Sequence, residues 1–402
     1  MSLLDELSKT ETWEAFYQYK IGLARPKDET KVLRGFIDRK AWLPVCERIE
    51  RGAAFPLPRR AVISKLHSEK KRTVYIYPEP ENTVLKVLTW LLLRRYDDLF
   101  APGLYSFRPG RTAKDAIRTL LAVPGIRNMY AYKADISNYF NSIDVDRFLP
   151  ELQQAISDDP ELFAFLSAQL SEPRVLEKGK ELIEQKGIMA GTPLSAFYAN
   201  LYLRELDRVF SSAGIPYARY SDDIILFSPT EEAMQLHAAR LRAVLTARGL
   251  VLNPAKENYY APETGWTFLG FCCRNGEIDI APATLDKLKA KMRRKTRALA
   301  RWRDRTGHTG EQAAAAFARI FNRKLLEMPT GSELSWSSWF FSVITTTESL
   351  HVIDLYAQDC LRFLISGTRT KARYNVRYED LKALGYRSLV HGYYEHNESI
   401  AK

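Results

Sequence analysis

The sequence predicts an α+β protein whose C-terminal region is all helical, on three observations. Short aliphatic and aromatic runs bounded by polar turns alternate with helix-period segments up to about residue 280. From Pro282 onward the chain reads as almost wholly helical. The 402 residues are 46% hydrophobic and 27% charged, enough apolar content for sizeable cores and too much for a disordered polymer. A chain of this length favours two or three lobes.

Taken in order, the first fifty residues read as helices. Trp13, Phe16, Tyr17 and Tyr19, then Val32, Leu33, Phe36, Ile37 and Trp42, recur near three and four residues apart among charges, with Pro26 between the two segments. Val62, Ile63 and Leu66, followed by Thr73-Val74-Tyr75-Ile76-Tyr77, predict a hairpin joined by the polar stretch His67 to Arg72. Asn82 to Tyr96 returns to helical spacing, Leu104 to Arg111 is turn-rich and basic, and a helix follows from Thr112 to Leu121. Met129 to Ile136 predicts a strand in which the apolar run Tyr130 to Ala134 ends at a single acid, Asp135.

Residues 146 to 186 predict helices broken by Pro160 and Pro173, closing in a polar stretch rich in Lys and Glu. Ser195 to Ser212 predicts one helix, with Ser195 as its N-cap and Gly214 beyond its end. Tyr217 to Phe227 predicts a hairpin with two acids at its turn. A helix over 231–248, a break at Gly249, and strands around Trp266 to Cys272 and Glu277 to Ile280 complete the mixed region. No internal repeat or low-complexity tract interrupts the chain.

Several function classes are disfavoured. Cys46, Cys272, Cys273 and Cys360 show no zinc-site spacing, and no two of the six histidines stand at i, i+4. No apolar run approaches the ~20 residues of a membrane span, so no membrane partner is expected. The first residues do not read as a signal peptide, which makes the reducing cytoplasm the expected compartment.

The chemistry concentrates at Tyr220-Ser221-Asp222-Asp223, between Tyr217-Ala218-Arg219 and Ile224-Ile225-Leu226-Phe227. Two acids at a tight turn repel each other, and a cation or water must relieve them. An isolated pair reads more simply as a solvated turn. Asp135, at the end of its own apolar strand, changes that balance, because neighbouring strands would bring it beside Asp222. Three carboxylates at one sheet edge suit two Mg²⁺ ions, which take oxygen ligands and, ~4 Å apart, serve in-line phosphoryl transfer.

These residues carry a family resemblance. Lys133-Ala134-Asp135-Ile136-Ser137-Asn138-Tyr139-Phe140-Asn141-Ser142-Ile143-Asp144 resembles the first palm motif of reverse transcriptases, and Tyr220-Ser221-Asp222-Asp223 resembles their Tyr-x-Asp-Asp box. Ser106 to Arg111 is similar to the fingers motif of group II intron-type enzymes, and Gly187 to Ser195 with Ala199-Asn200-Leu201 to the template-and-nucleotide motif. Gly249 to Lys256 and Phe268-Leu269-Gly270-Phe271 resemble the last two palm motifs. Six segments in family order span roughly residues 60 to 282.

The resemblance implies a right-hand polymerase fold, with fingers and palm over 1–283 and an all-α thumb and C-terminal region over 284–402. It makes Asp135, Asp222 and Asp223 the metal-binding acids, with two Mg²⁺ as cofactor and Mn²⁺ as the alternative. Lys256 matches a lysine that protonates departing pyrophosphate, though it also reads as a surface lysine. Phe140 matches the bulky residue that clashes with a ribose 2′-hydroxyl and so selects dNTPs, its other reading being palm core. Arg72, aided by Lys71 or Lys65, matches the fingers cation on the triphosphate, although these equally read as solvated hairpin charges. Ile136 and the backbone at Gly191 complete the implied nucleotide site, and Arg108 and Arg111 the implied nucleic-acid contacts of the fingers. The sequence departs from the pattern at Met189-Ala190, where relatives carry Pro-Gln, and at Ala196, where a proline often stands, which puts a side-chain contact at Ala190 in doubt.

The net charge of +11 is concentrated. Ten Lys or Arg between Lys287 and Arg305, against Asp304, give +9 in one predicted helix and leave about +2 elsewhere. Leu288, Met292, Leu299 and Trp302 share its other face, so the helix can pack while Lys287, Lys291, Arg294 and Arg301 follow a phosphate backbone. Arg373, in the basic-aromatic run Arg369 to Tyr378, is a candidate RNA contact with packing as the alternative. Asn322 to Leu325, Ser335 to Phe341, Thr347 to Leu350 and Tyr378 to His391 look similar to the tails of bacterial unknown-group reverse transcriptases, many of them antiphage enzymes that copy a structured non-coding RNA. The expected function is therefore RNA-directed DNA synthesis from a dedicated, structured non-coding RNA, with dNTPs as substrates and cDNA as product. An intron-type maturase, a template-independent nucleotidyl transferase and an RNA-binding scaffold remain as alternatives, and the oligomeric state stays open.

Overall fold

In the computed structural model, which describes residues 1–23, 27–64, 71–327 and 336–401, strands and helices alternate as far as Ile280 and helices follow. The strands are β1 (Arg59–Ser64), β2 (Lys71–Ile76), β3 (Tyr130–Asp135), β4 (Arg174–Glu177), β5 (Lys180–Ile183), β6 (Tyr217–Tyr220), β7 (Asp223–Ser228), β8 (Asn258–Tyr260), β9 (Trp266–Phe268), β10 (Phe271–Arg274) and β11 (Glu277–Ile280). They form sheets of order β2-β1-β4-β5, β6-β7-β3-β8 and β11-β10-β9. The expected mixed α+β class with a helical C-terminal region is what is observed.

The chain divides into two compact units, Met1–Lys20 with Lys27–Pro262, and Ile21–Pro26 with Glu263–Lys402. The packing break precedes the last motif segment, Phe268 to Phe271, so motif order and packing divide the chain at different places.

In the first unit the sheet carrying Asp135 is buried because its central strands are apolar. Ile224, Ile225, Leu226 and Phe227 of β7 and Ala131, Tyr132 and Ala134 of β3 are all inaccessible or nearly so. The helix Glu231–Ala247 packs on both strands, capped at its start by the Thr230 hydroxyl, which accepts from the Ala233 amide. The helix Glu79–Arg95 contributes Val84, Leu85, Leu88 and Leu92 to the same core as Phe148, Phe197, Tyr198 and Tyr202.

Two local expectations are corrected. The Lys- and Glu-rich stretch after Pro173 is a β-hairpin, β4–β5, which extends the sheet begun by β1 and β2. Its two-residue turn, Lys178-Gly179, has positive φ at both positions, the geometry that matches strand twist. The helix predicted from Ser195 to Ser212 is two helices, Ser195–Tyr202 and Arg204–Ser212, broken at Leu203. Ser195 is not its N-cap; its hydroxyl lies inside the first turn and donates to the Thr192 carbonyl at 2.6 Å.

In the second unit the helix Pro282–Thr306 buries Met292, Thr296 and Leu299 against the helices Gly310–Leu325 and Glu348–Ser366. Leu288 and Trp302 are half-buried beside that stripe, whereas Lys287, Lys291, Arg294 and Arg301 are exposed. The buried Asp354 carboxylate accepts from the Tyr386 and Ser388 hydroxyls and from the Leu389 and Val390 amides, fixing the start of the helix Leu389–Ala401. No helix among the described residues is long and apolar enough to cross a membrane.

Candidate active site

The β6–β7 hairpin turns through Ser221 and Asp222, with Tyr220 paired to Asp223. Ser221 has φ +60°, a conformation that disfavours a side chain and so needs support from its surroundings. Register does the rest: antiparallel pairing of β3 with β7 sets Asp135 directly opposite Asp223. The Ile136 amide donates to the Asp222 carbonyl at 3.1 Å, and the Asn253 amide donates to the Asp135 carbonyl at 2.8 Å.

One carboxylate oxygen from each of Asp135, Asp222 and Asp223 lies within 4.8 Å of the others. Burial, and then the charge of Asp135, raises the Asp222 pKa above the ordinary carboxylate range. Burial, and then Asp222, pushes Asp223 up to about 6. Both groups therefore favour a nearby positive charge. The chain supplies part of it: the Lys256 ammonium pairs with Asp135, Lys256 and Arg72 act on Asp222, and Lys133 acts on Asp223. An all-oxygen, anionic donor set fits hard divalent cations, which these three residues would hold.

Behind the turn lies a buried network that the sequence reading missed. Arg219, on β6, is completely buried and donates through Nε and Nη2 to the two oxygens of Asp207, at 2.7 and 2.6 Å. Its Nη1 donates to the Ser221 carbonyl at 3.1 Å and its Nη2 also to the Asn200 carbonyl at 3.3 Å. The Tyr217 hydroxyl donates to Asp207 at 2.8 Å. On the other side, Ser106 Oγ accepts the Ser221 amide at 2.9 Å and donates to Asn200 Oδ1 at 3.1 Å, while Asn200 Nδ2 returns a bond to the Ser106 carbonyl at 2.8 Å. The strained turn is thus held by fixed donors and acceptors on both flanks. The available signal was Arg219 itself, a charge among Tyr217, Ala218 and Tyr220 in a strand with no exposed face.

The template-and-nucleotide motif packs on β2. The Tyr75 amide donates to the Ala190 carbonyl at 2.8 Å, and a Cβ on Gly191, whose φ is +98°, would stand 3.0 Å from Val74 Cβ. Gly187 has the same constraint against the Phe140 carbonyl, which also accepts the Ile188 amide at 3.0 Å. Glycine at these positions lets the loop lie directly on its neighbours. Phe140 is half-buried against the core, with its ring edge-on to Tyr139. Ile136 is buried, so it offers backbone rather than side chain to any substrate.

The remaining candidates separate by environment. Lys71 and Arg72 are exposed on β2, while Lys65 lies outside the described residues. Arg108 corrects its expectation: it is buried, bidentate to Asp97 at 2.7 and 2.9 Å and bonded to the Ala101 carbonyl, so it clamps a turn instead of facing a phosphate backbone. Arg111 is half-buried, donates to the Pro102 carbonyl and lies over the Tyr105 ring. Arg373 faces Asp359 at 3.7 Å, donates to the Tyr374 hydroxyl and stacks on its ring, which favours the packing alternative.

The group II intron-encoded protein LtrA of Lactococcus lactis subsp. cremoris is 27% identical over 207 residues, covering 50% of this chain and 33% of its own length. An uncharacterized 91 kDa protein in the cob intron of Schizosaccharomyces pombe is 27% identical over 151 residues, covering 37% of this chain and 18% of its own. The chain thus spans a third or less of these two relatives. A solved telomerase of Candida albicans, in complex with a fragment of telomeric RNA, covers 84% of this chain and 62% of that one at 11% identity and a TM-score of 0.45, values too low to decide anything. Residues 65–273, which hold all three acids, match the reverse transcriptase (RNA-dependent DNA polymerase) family, and the chain belongs to it.

Proposed function

We propose that the protein is an RNA-directed DNA polymerase that holds two Mg²⁺ ions on Asp135, Asp222 and Asp223 and copies a dedicated, structured non-coding RNA into cDNA. The observation that carries this reading is the convergence of the three carboxylates inside the segment matched to the family. When bound, the ions supply activation of a 3′-hydroxyl and neutralise charge on the departing pyrophosphate.

The protein's own groups divide the remaining tasks. Arg72, exposed on β2 and within electrostatic reach of Asp222, grips the triphosphate, with Lys71 beside it. Phe140 excludes a 2′-hydroxyl, and Gly191 brings the backbone of its loop close to β2. Lys256, paired with Asp135, hands a proton to the departing pyrophosphate. In the second unit, Lys287, Lys291, Arg294 and Arg301 follow the duplex backbone. The working division of labour is fingers and palm over 1–283, thumb and RNA-binding region over 284–402, in the cytoplasm.

The biological setting favoured by the C-terminal strings is antiphage defence. The likeness to an intron-encoded protein favours a second reading, retroelement mobility. Purified protein with Mg²⁺, dNTPs and a primed RNA is expected to make DNA, and the Asp222→Ala, Asp223→Ala double variant to make none. Sequencing the RNA that co-purifies separates the two settings: one short structured transcript supports the dedicated template, and intron RNA around the gene overturns it.

A further inference from the structure

Phe107 is out of keeping with its surroundings. It has φ +60°, a region that bulky residues avoid, and its side chain remains 41% exposed. Among the described residues its ring stacks on no other. Both chain neighbours are buried and fixed: Ser106 Oγ accepts the Ser221 amide at 2.9 Å, and Arg108 is locked on Asp97. The backbone is therefore over-determined on each side of one exposed aromatic, the pattern in which strain is retained for function.

Its position follows from pairing. The segment before it runs parallel to β6, with Leu104 bridged to Arg219, the Tyr105 amide donating to the Arg219 carbonyl at 3.0 Å and the Arg219 amide to the Gly103 carbonyl at 2.8 Å. Phe107 thus emerges beside the catalytic turn, one peptide or ~3.8 Å of Cα path beyond Ser106. It stands on the β6 flank, and Asp135 with Lys256 stands on the β3–β8 flank. In-line displacement requires the attacking hydroxyl and the leaving pyrophosphate to lie on opposite sides of the phosphorus. The role proposed above for Lys256 assigns the leaving side to the β3–β8 flank, and the attacking strand then belongs on the flank of Phe107.

We propose that Phe107 is a stacking platform for the terminal nucleotide of the strand being extended, holding its base or sugar face so that the 3′-hydroxyl reaches the acids. Aromatic stacking tolerates any sequence because every base has a π-face, which suits a terminus that changes at each addition. This rests on the polymerase reading, and the test separates the two.

A primer carrying a fluorescent adenine analogue at its 3′ end is annealed to RNA and bound without dNTPs. With wild-type protein the analogue is expected to be quenched. Phe107→Leu and Phe107→Gly should lose the quenching and bind the primed RNA about tenfold more weakly, while Phe107→Tyr retains both. Phe107→Gly should unfold at an equal or higher temperature, since glycine suits the positive φ. Unchanged quenching and affinity in the Leu and Gly variants, or a lowered unfolding temperature in the Gly variant, would overturn the assignment. Failure of the wild-type protein to extend any primer would count against the polymerase reading itself, independently of the quenching.

Discussion

One hairpin carries two groups of charge handled in opposite ways. Arg219 on β6 is fully buried, and each of its three nitrogens finds a carboxylate or carbonyl, with Asp207 matched to it in both oxygens. Asp222 and Asp223, three and four residues on, are partly buried beside Asp135, with Lys256 as the one ammonium paired to the group among the described residues. The pair behind the turn is electrically closed and sets geometry. The acids in front are under-compensated, and burial, then the charge of neighbouring carboxylates, raises the pKa values of Asp222 and Asp223. Charge that is balanced by the protein builds the site; charge that is left unbalanced is available to metal and substrate.

The sharpest break of this comparison is removal of the front acids. Asp222→Ala with Asp223→Ala is expected to lower DNA synthesis by roughly a thousandfold or more, because metal charge stabilisation is worth several kcal/mol. The same variant should melt no lower than wild type, since it relieves repulsion. Asp207→Asn should behave in the reverse way. It leaves a buried guanidinium without its counter-charge, costing about 3–5 kcal/mol, read as a fall in unfolding temperature on the order of 10 °C. Synthesis then fails through loss of the fold.

A smaller effect is expected from Ser106→Ala, which orphans the Ser221 amide and costs about 1–3 kcal/mol in urea unfolding, with a lower rate of synthesis because the turn is less well held. The smallest is a pH effect. Asp223 titrates near 6 in the fold against ~3.9 in an unfolded chain. Between those values the folded state holds more proton, so this group makes stability fall as pH rises. Unfolding of chelator-treated protein across that window should show a shallower decline, or a steeper rise, in Asp223→Asn than in wild type.

The acids and their strands were legible because each motif is contiguous and the register of an antiparallel pair is set by its turn. The β4–β5 hairpin was hidden by its composition: Glu177, Lys178, Lys180 and Glu181 read as solvated helix or loop, although Lys178-Gly179 is a two-residue turn signal. Asp207 was hidden for another reason. It lies on a helix among Arg204, Glu205 and Arg208, where an acid reads as surface, and only the tertiary fold turns it inward to Arg219. Arg108 was misread because a basic motif says nothing about which of its arginines face solvent.

The central claim is that the unbalanced acids serve templated DNA synthesis. Sequencing the DNA made from one defined, primed RNA with Mg²⁺ and dNTPs tests it most directly. A product complementary to that RNA, absent from the Asp222→Ala, Asp223→Ala reaction, is the predicted result; a random or homopolymeric tail, or the same product from the double variant, would contradict it.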